Sequence, residues 1–226
     1  MNILKKFELN NKVLEDFDTL MTYHLDQVEE LVIKEISINP KLYNIISLCI
    51  NVKTLVIEGD LRVDTNKIVY NLCKPEKLEN IVLNSVKLPT NKILSRFVNL
   101  RTIALTNIKF SDINKFFNQI PSKESVIALK LENVDLNRNS ISMCGMFENL
   151  QFLNIDNLSN CIFDDFSFLI NNINLKRINI QNSIVEFDKI NALCRLKCRK
   201  TIDILLETSD ICEIQNSFEV DEDNIS

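Results

Sequence analysis

The sequence predicts an α/β solenoid, a stack of strand–loop–helix units whose strands form one parallel sheet with helices on one side. Two observations predict this fold. The apolar spacing of LRTIALTNIKF, residues 100–110, recurs at intervals of 22–26 residues, and a period of this length is typical of repeat proteins. Apolar residues at helical spacing then follow most of the strand-like segments. The matches begin at Leu4, Val28, Val52, Leu78, Leu100, Val126, Leu150, Leu175 and, least clearly, Thr201.

The second unit shows the plan of each repeat. Leu31 and Ile33 alternate with other residues as in a strand with one buried face. Asn39 then provides a helix cap, and Pro40 suits the first helical position. Later units repeat this order of strand, turn and helix. The apolar residues expected on the helices are Leu42, Ile45, Ile46 and Cys49; Ile68, Val69 and Leu72; Ile93, Leu94 and Phe97; Ile113, Phe116, Phe117 and Ile120; Ile141, Cys144 and Phe147; Phe166, Leu169, Ile170 and Ile173; and Phe187, Ile190, Leu193 and Cys194.

The repeats predict one continuous domain rather than several. We expect residues 1–212 to form the solenoid, because each repeat can bury its apolar face only against its neighbours. Within it, residues 1–27 are expected to be an N-terminal cap repeat and residues 201–212 a C-terminal cap strand. Residues 213–226 contain five acids and no base, which is typical of an acidic tail.

Composition bounds the compartment and the partners. No apolar stretch is long enough to span a bilayer, and the first residues lack the apolar centre of a secretory signal. We therefore expect an intracellular protein, in the cytoplasm or nucleus. Seven cysteines without a CxxC pair indicate small buried thiols rather than disulfides. Residues 1–212 carry 26 acids and 26 bases, and this balance argues against a nucleic-acid partner.

The sequence lacks the usual signatures of an enzyme or of a cofactor site. Its two glycines rule out both phosphate-binding loop motifs, and its single histidine, His24, has no second ligand at metal spacing. We expect His24 to be an ordinary surface or half-buried side chain. Asp164 and Asp165 are expected to cap a helix. The prediction is a non-catalytic protein without a metal or cofactor.

The segments LENIVL, LRTIAL, VIALKL, LQFLNI and LKRINI share the spacing L-x-x-L-x-L. This spacing resembles the leucine-rich repeat family over essentially the whole chain. The resemblance implies a right-handed solenoid with a concave parallel sheet and convex helices. The ninth repeat position, which is commonly Asn in the family, is apolar here in five of the eight units compared. That departure is more similar to the helix-bearing repeats of F-box and ribonuclease-inhibitor-like proteins. Asn instead occurs at the eighth position in five units, where turn chemistry is the favoured interpretation.

A protein partner on the open face of the sheet is the functional prediction. The fifth repeat position should point outward at the centre of each strand, and four consecutive strands place an apolar residue there. Polar residues flank this stripe, and an apolar stripe with a polar rim suits an interaction surface. The predicted binding residues are Val32, Val56, Val82, Ala104, Thr54, Thr102, Thr106 and Glu58.

The sequence leaves three alternatives open. The valines could reflect strand propensity alone. The chain could be a substrate adaptor of a ubiquitin ligase whose F-box is supplied elsewhere. It could also be a ribosome- or nucleic-acid-associated factor, which would require a basic row on the sheet, whereas the expected concave positions alternate in sign.

Overall fold

The computed structural model describes residues 5–20, 23–36, 40–59, 64–90, 92–108, 113–135, 142–157, 169, 172–183 and 203–207. Nine strands lie within these residues and form one sheet, in which every neighbouring pair is parallel and the spatial order is the chain order. The strands are β1 (Lys6–Leu9), β2 (Glu30–Lys34), β3 (Thr54–Glu58), β4 (Asn80–Asn84), β5 (Thr102–Thr106), β6 (Ala128–Glu132), β7 (Phe152–Asp156), β8 (Arg177–Gln181) and β9 (Asp203–Glu207).

The sheet confirms the predicted repeat register in all nine units. Each strand begins two residues after the predicted start of its repeat, from Lys6 after Leu4 to Asp203 after Thr201. Equivalent repeat positions are paired across the sheet, as in Leu55 with Ile81. Eight steps of about 4.8 Å give a sheet about 38 Å across its strands.

The core lies on one side of the sheet. Strand residues at the fourth and sixth repeat positions, such as Leu105 at 0% exposure, face the helices and turns and belong to one continuous apolar cluster from Phe7 to Ile180. The ninth position joins the same cluster, since Val86 and Ile108 are also fully buried. An apolar ninth residue therefore takes part in the core packing.

Five α-helices lie within the described residues: two between β1 and β2, and one each after β2, β3 and β5. They are α1 (Asn11–Glu15), α2 (Phe17–Leu20), α3 (Pro40–Leu48), α4 (Thr65–Tyr70) and α5 (Ile113–Gln119). Helix α4 begins after Asp64, whose carboxylate accepts a hydrogen bond from the Lys67 backbone N–H at 3.2 Å. The predicted cap Asn39 lies outside the described residues.

Two units contain 3₁₀ turns where the repeat plan led us to expect α-helices. These turns are Lys92–Arg96 and Met143–Met146. The first lies in the shortest repeat, from Leu78 to Leu100, where few residues are available for a helix. The second contains Gly145, which disfavours an α-helix. The predicted residues Ile93, Leu94 and Phe97 of the first unit and Cys144 and Phe147 of the second are still buried, in or directly after these turns. Ile141 lies outside the described residues.

Two predicted burials are wrong. Ile173 is 74% exposed, because it lies in the turn directly before β8 and not on the inner side of a helix. Cys73 is also exposed, in the segment between α4 and the 3₁₀ turn Pro75–Lys77, whereas Cys49 and Cys144 are buried as predicted. The predicted helix of the eighth unit, the acidic tail and the pair Asp164 and Asp165 lie outside the described residues.

The eighth repeat position closes the turn after strands β2–β8, where every residue at this position has a positive φ. Asn107, Asn133, Asn157 and Asn182 have φ between 48° and 51°, a left-handed conformation that Asn tolerates better than most residues. The backbone N–H of Asn107 donates to the Glu132 carbonyl at 2.9 Å, and Asn133 and Asn157 make the equivalent bond to the following strand. The expectation of turn chemistry is therefore confirmed for these four residues. Asn11 differs, because it begins α1.

Candidate functional site

The open face of the sheet is the side opposite the apolar core. It carries three rows of side chains, formed by the third, fifth and seventh repeat positions and held in line by the parallel pairing. The central row runs Glu8, Val32, Val56, Val82, Ala104, Lys130, Asn154, Asn179 and Leu205. We refer to β1–β4 as the N-terminal half of this face and to β5–β9 as the C-terminal half.

Ion pairs cover part of the N-terminal half. The Lys34 Nζ lies 3.5 Å from a carboxylate oxygen of Glu8 and 3.6 Å from one of Glu58, so it bridges β1 and β3 across β2. Glu58 first and Glu8 second raise the pKa of Lys34 above its usual value. Lys6 and Glu30 form a further pair at 2.6 Å in the neighbouring row.

The predicted apolar stripe is wrong at Val32, which is buried. It is only 3% exposed, although it lies outside the apolar core cluster and its neighbours in the central row lie on the open face. Its register partner on β1 is Glu8, whose carboxylate pairs with Lys34, so these two long side chains lie beside Val32. The accessible part of the stripe therefore consists of the half-buried residues Val56, Val82 and Ala104.

The polar residues predicted to flank the stripe are half-buried on the open face. Thr54 accepts a hydrogen bond from the Asn80 side-chain amide at 3.0 Å, and Glu58 pairs with Lys34 as described above. The Thr106 hydroxyl lies 3.5 Å from the Glu132 carboxylate. Thr102, at the third repeat position and the first residue of β5, flanks Ala104. The structure thus brings the predicted rim residues together around the stripe.

The largest exposed apolar side chain of the C-terminal half was missed by the sequence reasoning. Phe152, at the third repeat position and the first residue of β7, is 44% exposed. Its register partners are Ala128 on β6 and Arg177 on β8. A cavity of about 280 Å³ opens beside the ring, and we call it the Phe152 pocket; its lining includes Thr102, Ala128, Phe152, Asn154, Arg177 and Asn179. Reading the third row as well as the fifth would have found this aromatic residue next to alanine.

Two basic residues, Lys130 and Arg177, line the Phe152 pocket, and its lining contains no acid. The second to fifth repeat positions of β5–β8 contain four bases, Arg101, Lys130, Lys176 and Arg177, and no acid. Lys130 pairs with Glu132 at 2.6 Å, and Arg177 lies 3.8 Å from Asp203. Arg101 and Lys176 are exposed, and neither has an ion-pair partner within the described part of the chain. The same four positions of β2–β4 contain three acids and one base, so these two groups of strands differ in charge where they begin. The seventh repeat position adds the acids Glu132 and Asp156 on β6 and β7, and Asp203 begins β9.

A second cavity, of about 480 Å³, lies where β2–β5 begin. Its charged lining mixes the acids Glu29 and Glu79 with the bases Lys53 and Arg101. The Asn51 and Asn99 side chains there donate to backbone carbonyls of the preceding repeat, each at 2.7 Å. These amides therefore hold the turns between repeats.

Groups that could carry catalysis are dispersed in the described residues. His24 is exposed, directly before the 3₁₀ turn Leu25–Gln27. Burial raises the pKa of the Cys49 thiol to about 12, so it stays protonated at neutral pH. No cluster of three metal-ligating side chains occurs in the ranges given above. The longest described helix, α3, has nine residues, so no described helix could cross a bilayer.

Comparison with known proteins gives partial sequence matches and broader structural ones. No family model matches the chain. A probable polyketide synthase 9/36 of Dictyostelium discoideum is 26% identical over 160 residues, which is 63% of this chain and 5% of that protein. A probable polyketide synthase 6 of the same organism is 27% identical over 168 residues, 66% of this chain and 6% of that protein. The chain therefore matches only a small part of these relatives.

Two solved structures share the architecture. An internalin from Listeria monocytogenes superposes with a TM-score of 0.55 and 14% identity, covering 82% of this chain and 51% of that one. A leucine-rich-repeat protein from Leptospira interrogans gives a TM-score of 0.51 and 15% identity, covering 90% of this chain and 53% of that one. At these identities the likeness concerns the fold alone. Together with the nine in-register parallel strands, it shows that the chain has the leucine-rich-repeat solenoid fold.

Proposed function

We propose that this chain is a non-catalytic protein-interaction module that binds its partner on the open face of the sheet. The observation that carries the proposal is the row of half-buried apolar residues on that face, Val56, Val82 and Ala104, within a polar rim. A sheet of this kind holds many side chains in fixed rows, which suits recognition of another protein. The leucine-rich-repeat fold supports this role in general terms.

The match to polyketide synthases does not transfer an enzymatic activity to this chain, because it covers 5–6% of those proteins. Among the described residues, the buried thiol of Cys49 is protonated and His24 is exposed in a turn. Nucleophilic catalysis requires a nucleophile beside a base. These residues therefore favour binding over catalysis.

The double variant Val56→Glu with Val82→Glu tests the proposal. We expect it to weaken capture of the natural partner at least tenfold, about 1.4 kcal/mol, because two carboxylates would lie in the apolar row. The matched control is Lys41→Glu with Ser47→Glu on α3, away from the open face, where both residues are exposed. Thermal unfolding of both variants shows whether folding is preserved. Full binding by a folded Val56→Glu, Val82→Glu variant would place the contact elsewhere.

A further inference from the structure

We propose that the Phe152 pocket binds an acidic peptide segment of the partner, with one apolar side chain inserted beside the Phe152 ring. This inference rests on the proposed function and specifies the partner's chemistry at one point of the open face. It concerns the C-terminal half, whereas the predicted stripe lies mainly in the N-terminal half.

The shape of the pocket indicates a single side chain as the inserted group. Its volume of about 280 Å³ lies just below the range of about 300–1,000 Å³ that is typical of sites for whole small molecules. Thr102 and Ala128 line it on the β5 and β6 side, and their side chains are much smaller than the Phe152 ring. An apolar side chain placed there would cover part of the exposed 44% of Phe152. Partly exposed aromatic residues of this kind are common anchors of interfaces.

The charges around the pocket indicate an acidic segment. Lys130 and Arg177 line the pocket, whose lining contains no acid, and Arg101 and Lys176 lie outside the lining, directly before β5 and β8. Carboxylates flanking the apolar anchor would approach these bases, and such complementarity contributes to partner choice and association rate. The Asn154 and Asn179 amides, joined by a hydrogen bond of 3.1 Å, could bond to the peptide backbone between the charges.

A peptide explains these features better than a nucleic acid does. Lys130 and Arg177 already have carboxylates within 2.6 Å and 3.8 Å. Only Arg101 and Lys176 therefore offer cations without an ion-pair partner in the described ranges, and duplex binding commonly uses about 6–10 phosphate contacts. The pocket lining contains two cations, Lys130 and Arg177, whose side chains remain 44% and 63% exposed beside their carboxylate partners, and this small number suits a short acidic segment.

The test uses the full chain and three pools of fluorescent 12-residue synthetic peptides. The first contains one Phe or Leu among Asp, Glu and Ser, the second replaces the acids with Lys and Arg, and the third is acidic without an apolar residue. We expect fluorescence anisotropy to show at least tenfold tighter binding of the first pool. Equal binding of the second or third pool, tighter binding of a single-stranded oligonucleotide, or no peptide binding would overturn the proposal.

Matched variants locate the binding. Phe152→Ser and Lys176→Glu should each weaken binding of the first pool at least fivefold, and Lys41→Glu on α3, away from the open face, should leave it unchanged. Phe152 and Lys176 are both exposed, so the fold should persist, and circular dichroism checks this. Undiminished binding by folded Phe152→Ser protein contradicts the proposal. A further variant replaces Phe218 and the acids of residues 219–223 in the acidic tail. If the first pool binds only to this variant, the tail itself occupies the pocket, and a separate partner is excluded there.

The outcome is separable from that of the proposed function. If the Phe152 variants bind the natural partner normally while Val56→Glu with Val82→Glu does not, the acidic-segment proposal fails and the interaction module stands. If neither set of variants changes partner binding, both proposals fail.

Discussion

The two halves of the open face share one backbone plan and differ in which side chains are paired with neighbours and which are exposed. In the N-terminal half, Lys34 joins Glu8 and Glu58, and Val32 is buried among these long side chains. In the C-terminal half, Phe152 is exposed and the bases at the beginning of the strands outnumber the acids. The repeat therefore fixes where a side chain points, and the neighbouring strands determine whether it remains available to a partner.

The largest expected effect comes from disrupting the apolar core that both halves share. Leu105 lies on β5, at the boundary between them, and is fully buried in the shared core. Leu105→Asp would place an unpaired charge between the sheet and the helices, which costs several kcal/mol, so we expect cooperative folding to be lost. Hydrogen exchange should show lost protection in both β2 and β8. If β2 kept its protection while β8 lost it, the halves would be independent units.

An alkaline pH series should destabilise the protein through Cys49, which is buried in the core behind the N-terminal half. The pKa of Cys49 is about 12 in the folded protein, against about 8.5 in an unfolded chain. Its contribution is constant below pH 8.5 and is lost as the pH rises towards 12, since only the unfolded thiol ionises in this window. The slope per thiol is about 1.4 kcal/mol per pH unit. Urea unfolding from pH 7 to 10 should show a shallower decline for Cys49→Ala than for the unmodified protein, and parallel curves would refute the assignment.

The smallest expected effect tests the difference between buried and accessible valines. Val32→Ala should lower the free energy of unfolding by about 1–2 kcal/mol, as expected for methyl groups removed from a buried site. Val56→Ala removes the same atoms from a half-buried site and should cost about half as much. Urea unfolding of the two variants measures the contrast. Equal losses of unfolding free energy would mean that the ion pairs beside Val32 do not make its burial more stabilising than that of Val56.

The sequence was sufficient to predict the fold but only part of the surface. The register of all nine strands was predictable, because a shift by one residue would turn the apolar face of a strand to the open side. The burial of Val32 was not, because it depends on Lys34 reaching back to Glu8 on another strand. Ile173 was expected on a helix because the helical spacing of apolar residues continues to it, but the chain has already turned towards β8 at this residue. Phe152 was missed because only the fifth row was searched for apolar residues, although its exposure also required the small neighbour Ala128.

Binding of the partner to the open face can be tested most directly by crosslinking from two exposed aromatic residues on opposite sides of the sheet. Phe152 lies on the open face, and Tyr70 lies at the end of α4 on the opposite side, with exposures of 44% and 67%. Each is replaced in turn by the photo-crosslinking amino acid p-benzoylphenylalanine, and crosslinked products are compared in extracts of the cells that produce the protein. We expect a discrete, reproducible adduct from position 152 and none from position 70. An adduct from position 70 alone would contradict binding to the open face.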